Sequence, residues 1–523
     1  MEDMTQQLTR YFSSGIKRFF SGIFLSRLTG LGRDLVMAYS FGDHPTVAAF
    51  MIAFRFSNLL RRFFGEGPLQ SAFIPHFEGL RAQDEQQAYA FFRRLTFLLV
   101  VVLVGLTLLI EGGLGASLQF FSFSPGNREI LWLTALFMPC LLFICLYGVN
   151  IAVLQCHNAF FLPSMAPALA NFAWIFGALY LKGWVPERAM GPLAKWVVLG
   201  IFLQWAATLP LIWKKIGGNF KKWFEWKIHP EVKKLATSFS LGALGVGAVQ
   251  INAFFDTIFA RCADPSGPVY LWYSIRFQQL ALAIFGMAAV STLVPLLSRK
   301  VKGGEIEEAK GIFSFGVRRV LTVMLCVTLA IFCLGYFAID LVYGRGNFSL
   351  HAVNQTTVCF WAYSVGLIPS ALIMLYSAVF YAQGNFRTPT IASAATVGMN
   401  LLLNTFFVFG LHWGAVSTAL ATSLGSWINY LILRQLLGGK GWHAHYALSD
   451  FIPLLAGGVL ASLMAYGTYL GYIQIFSFSS HTLTQLFQFL FPAFAFVGGL
   501  FFYARLRKNQ DLLTVFRAFL AKG

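Results

Sequence analysis

The sequence predicts an all-α membrane protein with about fourteen transmembrane helices. We expect two parallel six-helix repeats around a central cavity, followed by two extra C-terminal helices. Three observations predict this fold class: 57% of the 523 residues are hydrophobic and only 11% are charged, the apolar residues come in long blocks, and part of the pattern recurs along the chain. An average soluble domain has about 25% charged residues, so much of this chain must face lipid.

The apolar blocks are about 20 residues long, the length of helix that crosses the hydrocarbon core of a bilayer. At this hydrophobicity only helices satisfy their own backbone hydrogen bonds in lipid. The predicted spans are 15–41, 46–76, 95–115, 129–154, 160–181, 191–213, 235–261, 268–298, 311–343, 353–382, 388–410, 413–433, 450–472 and 483–504.

The distribution of Lys and Arg predicts the orientation of these spans. If the N-terminus is cytoplasmic, the cytoplasmic segments contain 27 Lys and Arg residues and the opposite loops contain six. Positive residues concentrate in cytoplasmic loops, so the predicted protein is multi-pass with both termini in the cytoplasm.

When these 27 and six residues are subtracted from the 39 Lys and Arg of the chain, six cations remain within the predicted spans, and all six are arginine. A charged side chain in a bilayer is costly, so it usually faces a water-filled cavity or the protein interior. The planar guanidinium suits a diphosphate or a carboxylate better than an ammonium group does. The six are Arg27, Arg33, Arg55, Arg61, Arg62 and Arg276.

An alternative is that these arginines extend to the membrane surface or neutralise nearby acids. For Arg61 and Arg62, near the predicted cytoplasmic end of their span, this alternative is as well supported as a site role. Asp34 and Glu66 lie among the arginines of the first two spans, but so few acids cannot neutralise six guanidiniums. The sequence therefore predicts a positive site for a large anion, with Asp34 and Glu66 beside the arginines.

An internal repeat supports the two-half architecture. Residues 55–65 read RFSNLLRRFFG and residues 276–286 read RFQQLALAIFG, so that Arg55 and Arg276 are equivalent. A weaker match joins residues 155–171 to 382–400 at a similar offset. Because the offset contains six helices, the repeats are parallel. The predicted divisions are a repeat at 1–213, a basic amphipathic linker at 214–234, a second repeat at 235–438, and the last two helices with a cytoplasmic tail at 439–523.

A second polar cluster is predicted in the C-terminal half. Asp256 lies in span 7, and Asn400 and Asn404 lie one helical turn apart in span 11. Span 12 adds the hydroxyls of Ser417, Thr418 and Thr422. One carboxylate, two amides and a hydroxyl such as that of Thr418 are oxygen ligands that suit Na⁺. Ordinary polar packing between helices is the alternative, and no other metal site or cofactor is predicted.

The N-terminal half also carries a long family signature. The segments SRLTGLGRDLVMAYSFG (26–42) and AFRFSNLLRRFFGEGPLQSAFIP (53–75) resemble the opening of the MurJ (MviN) lipid II flippases. That family belongs to the multidrug/oligosaccharidyl-lipid/polysaccharide exporter superfamily. The likeness continues through NAFFLPSMAPALAN (158–171), YSIRF (273–277), AYSVGLIPS (362–370) and GNFRTP (384–389).

The resemblance implies a transporter in the bacterial inner membrane, not an enzyme. Its substrate would be lipid II, the undecaprenyl-diphosphate-linked disaccharide pentapeptide used to build cell-wall peptidoglycan. Alternating access would move lipid II from the cytoplasmic to the periplasmic leaflet, with membrane potential or Na⁺ as driving force. The family arginines that line the cavity correspond to Arg27, Arg33, Arg62 and Arg276. Cell-wall synthesis enzymes are possible partners, and no nucleic acid is expected.

The sequence also departs from the family pattern. Many members have an acid early in span 2, where Val47, Ala48 and Ala49 stand here, and acids around the span 8 arginine, where Ile275 and Gln279 stand. Members with a sodium site have an aspartate where Asn404 stands. Two alternative functions remain: a cation-coupled exporter of drugs or other polyprenyl-linked oligosaccharides, and a non-transporting membrane scaffold for cell-wall enzymes. The arginines disfavour an organic-cation site, and the scaffold leaves the buried charge unexplained.

Overall fold

Helices make up nearly the whole described chain. The computed structural model describes residues 24–64, 68–217, 223, 230–443, 448–475 and 481–520, and these residues contain no β-strand. The all-α fold class predicted from composition is therefore confirmed. The chain forms two compact units, Met1–Phe254 and Phe255–Gly523. The predicted repeat and linker boundaries stay a prediction, and most of the 214–234 linker lies outside the described residues.

The first unit contains helices α1 to α10 and the start of α11. Seven of these helices begin at a proline, which suits the first helical position because the amide there has no partner within the helix. The helices are α1 (24–41), α2 (Pro45–Phe64), α3 (Pro68–Gln83), α4 (Glu85–Phe120), α5 (Pro125–Phe137), α6 (Pro139–Cys156), α7 (Phe161–Met165), α8 (Pro167–Tyr180), α9 (Pro186–Ala206), α10 (Leu209–Ile216) and α11 (Pro230–Ala263).

The second unit contains the end of α11 and all later helices. Two π-helical segments interrupt it, at Leu282–Met287 after α12 and at Phe406–Gly410 after α17. The other helices are α12 (Gly267–Ala281), α13 (Ala288–Lys302), α14 (Ile306–Tyr343), α15 (Leu350–Ser364), α16 (Leu367–Ala382), α17 (Arg387–Thr405), α18 (Val416–Gly438), α19 (Leu448–Ile475), α20 (His481–Leu506) and α21 (Gln510–Leu520).

Ten helical stretches in the described residues are long and apolar enough to cross a membrane, or 11 if a pair bent by 43° around residues 288–289 is one span. The ten correspond to all the predicted spans except the first two of each repeat. Those helices, α1, α2, α11 and α12, carry the intramembrane arginines and Asp256, and polar residues lower their hydropathy. The chain is thus a multi-pass membrane protein, and the number fourteen stays a prediction.

Five predicted spans are each divided into two α-helices: 46–76, 129–154, 160–181, 191–213 and 353–382. The predicted span 46–76 consists of α2 and α3, because Pro68 cannot continue the ladder of a preceding helix. The predicted span 129–154 divides at Met138, before Pro139. The rings of α3 and α4 pack together, with Phe73 5.3 Å from Phe77 and 5.5 Å from Phe91 between ring centroids.

The last two long helices pack closely on the second unit. A Cβ at Gly457 of α19 would lie 2.6 Å from the Tyr503 ring of α20, and one at Gly458 would lie 2.2 Å from Leu329 of α14. Only glycine permits this approach. The C-terminal helix α21 is joined to α14 by an ion pair between Arg318 and Asp511, 2.8 Å between Nη2 and Oδ2.

Candidate substrate site

Arg33 is the centre of a polar cluster between α1 and α8 in the first unit. Its Nε and Nη2 donate to Asp34 Oδ1 at 3.0 and 2.8 Å, and its Nη1 donates to Asn171 Oδ1 at 3.2 Å. The guanidinium carbon lies 4.7 Å from the ring centroid of Trp174. Asp34 is buried, whereas the Arg33 side chain keeps 12% of its surface exposed. Arg33 is therefore held on several sides but still accessible.

One of the intramembrane arginines is paired with an acid at this cluster. Asp34, which the sequence places beside the arginines, forms an ion pair with Arg33 at 2.8 Å. The two residues are neighbours on α1, so the arginine side chain folds back along its own helix. Since one carboxylate compensates one guanidinium, the remaining positive charge must come from the other arginines.

The arginines of α1 and α2 have different surroundings. Arg27 is exposed, and no hydrogen bond or ion pair joins it to another described residue. Arg55 is partly buried and donates from Nη1 to the Ala253 carbonyl of α11 at 3.0 Å. Arg61 is partly buried and Arg62 is exposed. Glu66 lies outside the described residues.

The early part of α2, where the family pattern has an acid, is buried in this chain. Val47, Ala48 and Ala49 are fully buried, next to the buried hydroxyl residue Thr46. A carboxylate there would lose its hydration without any compensating partner in an apolar environment, which is costly. The departure from the family pattern is thus a packed apolar surface in this chain.

Arg276, the repeat counterpart of Arg55, lies on α12 of the second unit. Its guanidinium carbon is 4.7 Å from the ring centroid of Trp272, one turn earlier on the same helix. Aromatic faces attract a guanidinium, which is weakly hydrated. The π-helical segment begins six residues after Arg276. Ile275 is partly buried and Gln279 is exposed.

The predicted polar cluster around Asp256 is assembled in the second unit. Asp256 Oδ1 accepts from Asn404 Nδ2 at 2.7 Å, and Oδ2 accepts from Thr422 Oγ1 at 2.9 Å. Asn404 Nδ2 also donates to Asn400 Oδ1 at 2.6 Å, and Asn400 Nδ2 donates to Thr422 Oγ1 at 3.3 Å. The three helices α11, α17 and α18 thus meet at a buried network of side-chain oxygens and amides.

The structure corrects one member of this cluster. Thr418 was predicted as the hydroxyl partner, but its Oγ1 donates to the Ala415 carbonyl at 2.8 Å, and Thr422 contacts Asp256 instead. The two threonines are one turn apart on the same face of α18, so spacing alone does not distinguish them. Ser417 donates to the Gly414 carbonyl and lies outside the network. No group of three or more His, Cys, Asp or Glu side chains suited to a metal occurs in the described ranges.

Two contacts of Arg33 were not predicted from the sequence: Asn171 and Trp174, which touch it from α8. Asn171 is the last residue of the family segment NAFFLPSMAPALAN. A polar amide inside an apolar span was the available signal, because such residues usually bond across helices. Its partner could not be identified, since Arg33 precedes it by 138 residues.

The helical fold and the charged clusters inside it define a multi-pass membrane protein of the transporter type. The chain belongs to the lipid II flippase MurJ family, whose model matches residues 37–494. A relative from Chlamydia muridarum (strain MoPn / Nigg), named "Probable lipid II flippase MurJ", is 33% identical over 513 residues, 95% of this chain and 94% of its own. A Vibrio cholerae protein of the same name is 28% identical over 446 residues, 83% and 84% of the two chains.

Solved structures show the same fold. A lipid II flippase MurJ in an inward closed conformation matches with a TM-score of 0.70 and 23% identity, over 93% of this chain and 98% of that one. An inward-facing multidrug resistance transporter of the MATE family, in the MOP superfamily, matches with a TM-score of 0.63 and 14% identity, over 80% and 96%. The predicted family is confirmed.

Proposed function

We propose that this protein carries lipid II from the cytoplasmic to the periplasmic leaflet of a bacterial inner membrane. Both termini would lie in the cytoplasm, as the Lys and Arg distribution predicts. Membership of a family whose relatives are named lipid II flippases supports the substrate. The observation that carries the proposal is a set of intramembrane arginines, of which Arg33 is held in place and partly exposed.

The chemistry required of the protein is binding and release, because flipping makes and breaks no covalent bond. Arg27, Arg33, Arg62 and Arg276 would contact the diphosphate of lipid II, while its polyprenyl chain stays in lipid. Charge-assisted hydrogen bonds from guanidinium to phosphate are about twice as strong as neutral ones. Alternating access would then carry the headgroup across, since a charged sugar-peptide cannot cross hydrocarbon unaided.

We further propose that Na⁺ binds at Asp256, Asn400 and Asn404, with a hydroxyl from α18. The side-chain oxygens of Asp256, Asn400 and Thr422 gather in a buried network, and Asn404 contacts two of them through its Nδ2. Thr422 supplies the hydroxyl that was assigned to Thr418. Bound Na⁺ would supply positive charge beside Asp256. A sodium gradient or the membrane potential would bias the cycle, with about 2.3 kcal/mol available per charge moved across 100 mV.

The proposal is tested by replacing the arginines in cells that depend on this protein. We expect Arg27→Ala and Arg276→Ala to reduce lipid II export at least tenfold (roughly the loss of one charged hydrogen bond) and to accumulate lipid II in the cytoplasmic leaflet. Export is measured as the fraction of lipid II accessible to an enzyme added outside. Arg188→Ala is the matched control, because Arg188 is exposed at the start of α9. Normal export by both arginine variants at normal protein level would refute the proposal.

A further inference from the structure

The donors of Arg33 are only partly used within the protein. A guanidinium has five N–H donors. Arg33 directs Nε and one Nη2 hydrogen to Asp34 and one Nη1 hydrogen to Asn171. One N–H on each terminal nitrogen therefore has no acceptor in the described part of the chain. The side chain is 12% exposed, and phosphate oxygens are strong acceptors for guanidinium N–H groups.

Asn171 fixes the direction of this fork. Its Nδ2 donates to the Ser26 carbonyl at 3.2 Å and to Thr29 Oγ1 at 3.1 Å. Asn171 therefore bonds to two residues of α1 that lie about one helical turn apart. A carbonyl only accepts and a guanidinium only donates, so the amide has one orientation, with Oδ1 towards Arg33. The side chain at position 171 must accept a hydrogen bond from Arg33 and also donate to α1. An aspartate cannot donate and a leucine can do neither, so neither residue replaces the asparagine.

Trp174 fixes the plane of the guanidinium. The indole is buried, with 4% of its surface exposed, and is held by edge-to-face contacts with Phe50 and Phe54 at 5.5 and 4.8 Å between centroids. Its ring covers one face of Arg33 and excludes water from it. The buried Nε1–H of Trp174 has no acceptor among the described residues.

We propose that Asn171 and Trp174 are positioning residues of the diphosphate site, which hold the Arg33 guanidinium so that two of its N–H donors face the substrate. This inference rests on the proposed function, because it takes Arg33 as a diphosphate contact. The inference gives the two arginines of α1 different roles. The Arg33 guanidinium is held in place before the substrate binds, whereas the exposed side chain of Arg27 becomes ordered only on binding.

The test measures binding of two lipids to the purified full-length protein in nanodiscs: undecaprenyl diphosphate and undecaprenyl monophosphate. We expect the wild-type protein to prefer the diphosphate, and Asn171→Ala to lower that preference roughly tenfold. Asn171→Asp should lower it further, because the added negative charge competes with phosphate for Arg33. Trp174→Phe, which keeps a ring but removes the N–H, should lower it by a smaller factor. Asn150→Ala is the matched control, because it removes a buried Asn150–Thr208 hydrogen bond of 2.8 Å in the same unit.

A double-mutant cycle separates positioning from general support of the fold. In an Arg33→Gln background, Asn171→Ala should not change the preference further, because the group it positions is gone. Additive effects of the two substitutions, or an equal loss in Asn150→Ala, would overturn the inference. If Arg33→Gln lowers the preference but Asn171→Ala does not, only the positioning role fails. If wild-type protein shows no preference for the diphosphate, the proposed function fails and this inference fails with it.

Discussion

Two buried carboxylates in this protein are satisfied by different kinds of partner. Asp34 accepts hydrogen bonds from the charged guanidinium of Arg33, while Asp256 accepts them from the uncharged groups of Asn404 and Thr422. A carboxylate in a medium of low dielectric constant is costly unless it is paired or hydrogen-bonded. Because Asn404 and Thr422 are neutral, a cation added beside Asp256 would be attracted by its carboxylate charge.

The asparagine at position 404 makes a testable difference to this cluster. We expect Asn404→Asp to increase the apparent affinity for Na⁺ several-fold, because a second carboxylate adds negative charge to the same oxygen set. Asp256→Asn should abolish any sodium stimulation. The measurement is lipid II transport in proteoliposomes as a function of the sodium concentration, with potassium replacing sodium at constant ionic strength.

Ser417→Ala is the control for that experiment, because Ser417 is buried in α18 but bonds only locally to the Gly414 carbonyl. Sodium stimulation that is unchanged in Asp256→Asn would show that the cluster is polar packing and not an ion site.

At the scale of helices, the π-helical segment of the second unit contains the glycine that is common to the two repeat sequences 55–65 and 276–286. The π-helix Leu282–Met287 contains Gly286, the counterpart of Gly65. In the first unit α2 ends at Phe64, just before Gly65, and α3 begins at Pro68. π-helical turns often occur at functional sites. The regular α-helix ends nine residues after Arg55 in α2 and five residues after Arg276 in α12.

The close packing at Gly286 leads to a prediction. A Cβ there would lie 2.8 Å from Leu282 Cδ1 and 3.3 Å from Ala371 Cβ. We expect Gly286→Ala to lower the melting temperature in detergent and to slow transport, because overpacking costs about 1–3 kcal/mol and exceeds the gain of about 1 kcal/mol from helix propensity.

The matched control is Gly398→Ala in α17, where a Cβ would meet no atom within 4 Å. That variant should keep its melting temperature or raise it slightly, since only helix propensity changes. Equal melting temperatures and equal transport for Gly286→Ala and Gly398→Ala would show that the π-helical segment tolerates a side chain and is not tightly packed.

The helices themselves were largely predictable, because hydropathy blocks and prolines are local signals. The divisions at Pro68 and Pro139 were not predicted, since a proline inside an apolar block is compatible with a kink as well as with a new helix. The spans that hydropathy supports least, α1, α2, α11 and α12, carry the intramembrane arginines and Asp256. The other predicted site residues, Asn400, Asn404 and Thr418, lie in α17 and α18, which hydropathy does support. Polar residues thus lower the hydropathy of a span without preventing it from forming a helix.

For the whole molecule, the native cysteines provide a test of the proposed orientation. Cys262 is exposed near the end of α11, next to the predicted periplasmic loop, whereas Cys140, Cys145 and Cys359 are buried. We expect a membrane-impermeant maleimide to label Cys262 in spheroplasts before lysis, because an exposed thiol reacts and a buried one is protected.

The control is Cys262→Ala, which should remove the labelling seen in intact spheroplasts. Labelling of Cys262 only after lysis would reverse the orientation inferred from the Lys and Arg distribution. The measurement needs no engineered cysteine, so the protein keeps its native helix packing.

The sequence by itself determined that much of the chain faces lipid and that the fold is helical. It also determined the family and the residue types of the candidate sites. These are consequences of hydropathy, charge and local pattern. Only the tertiary structure decided which distant side chains meet. Asn171 lies 138 residues from Arg33, and Thr422, not Thr418, reaches Asp256 because of the level at which α18 lies beside α11. Periodicity fixes the face of a helix but not its height or its neighbours, and those depend on packing along the whole chain.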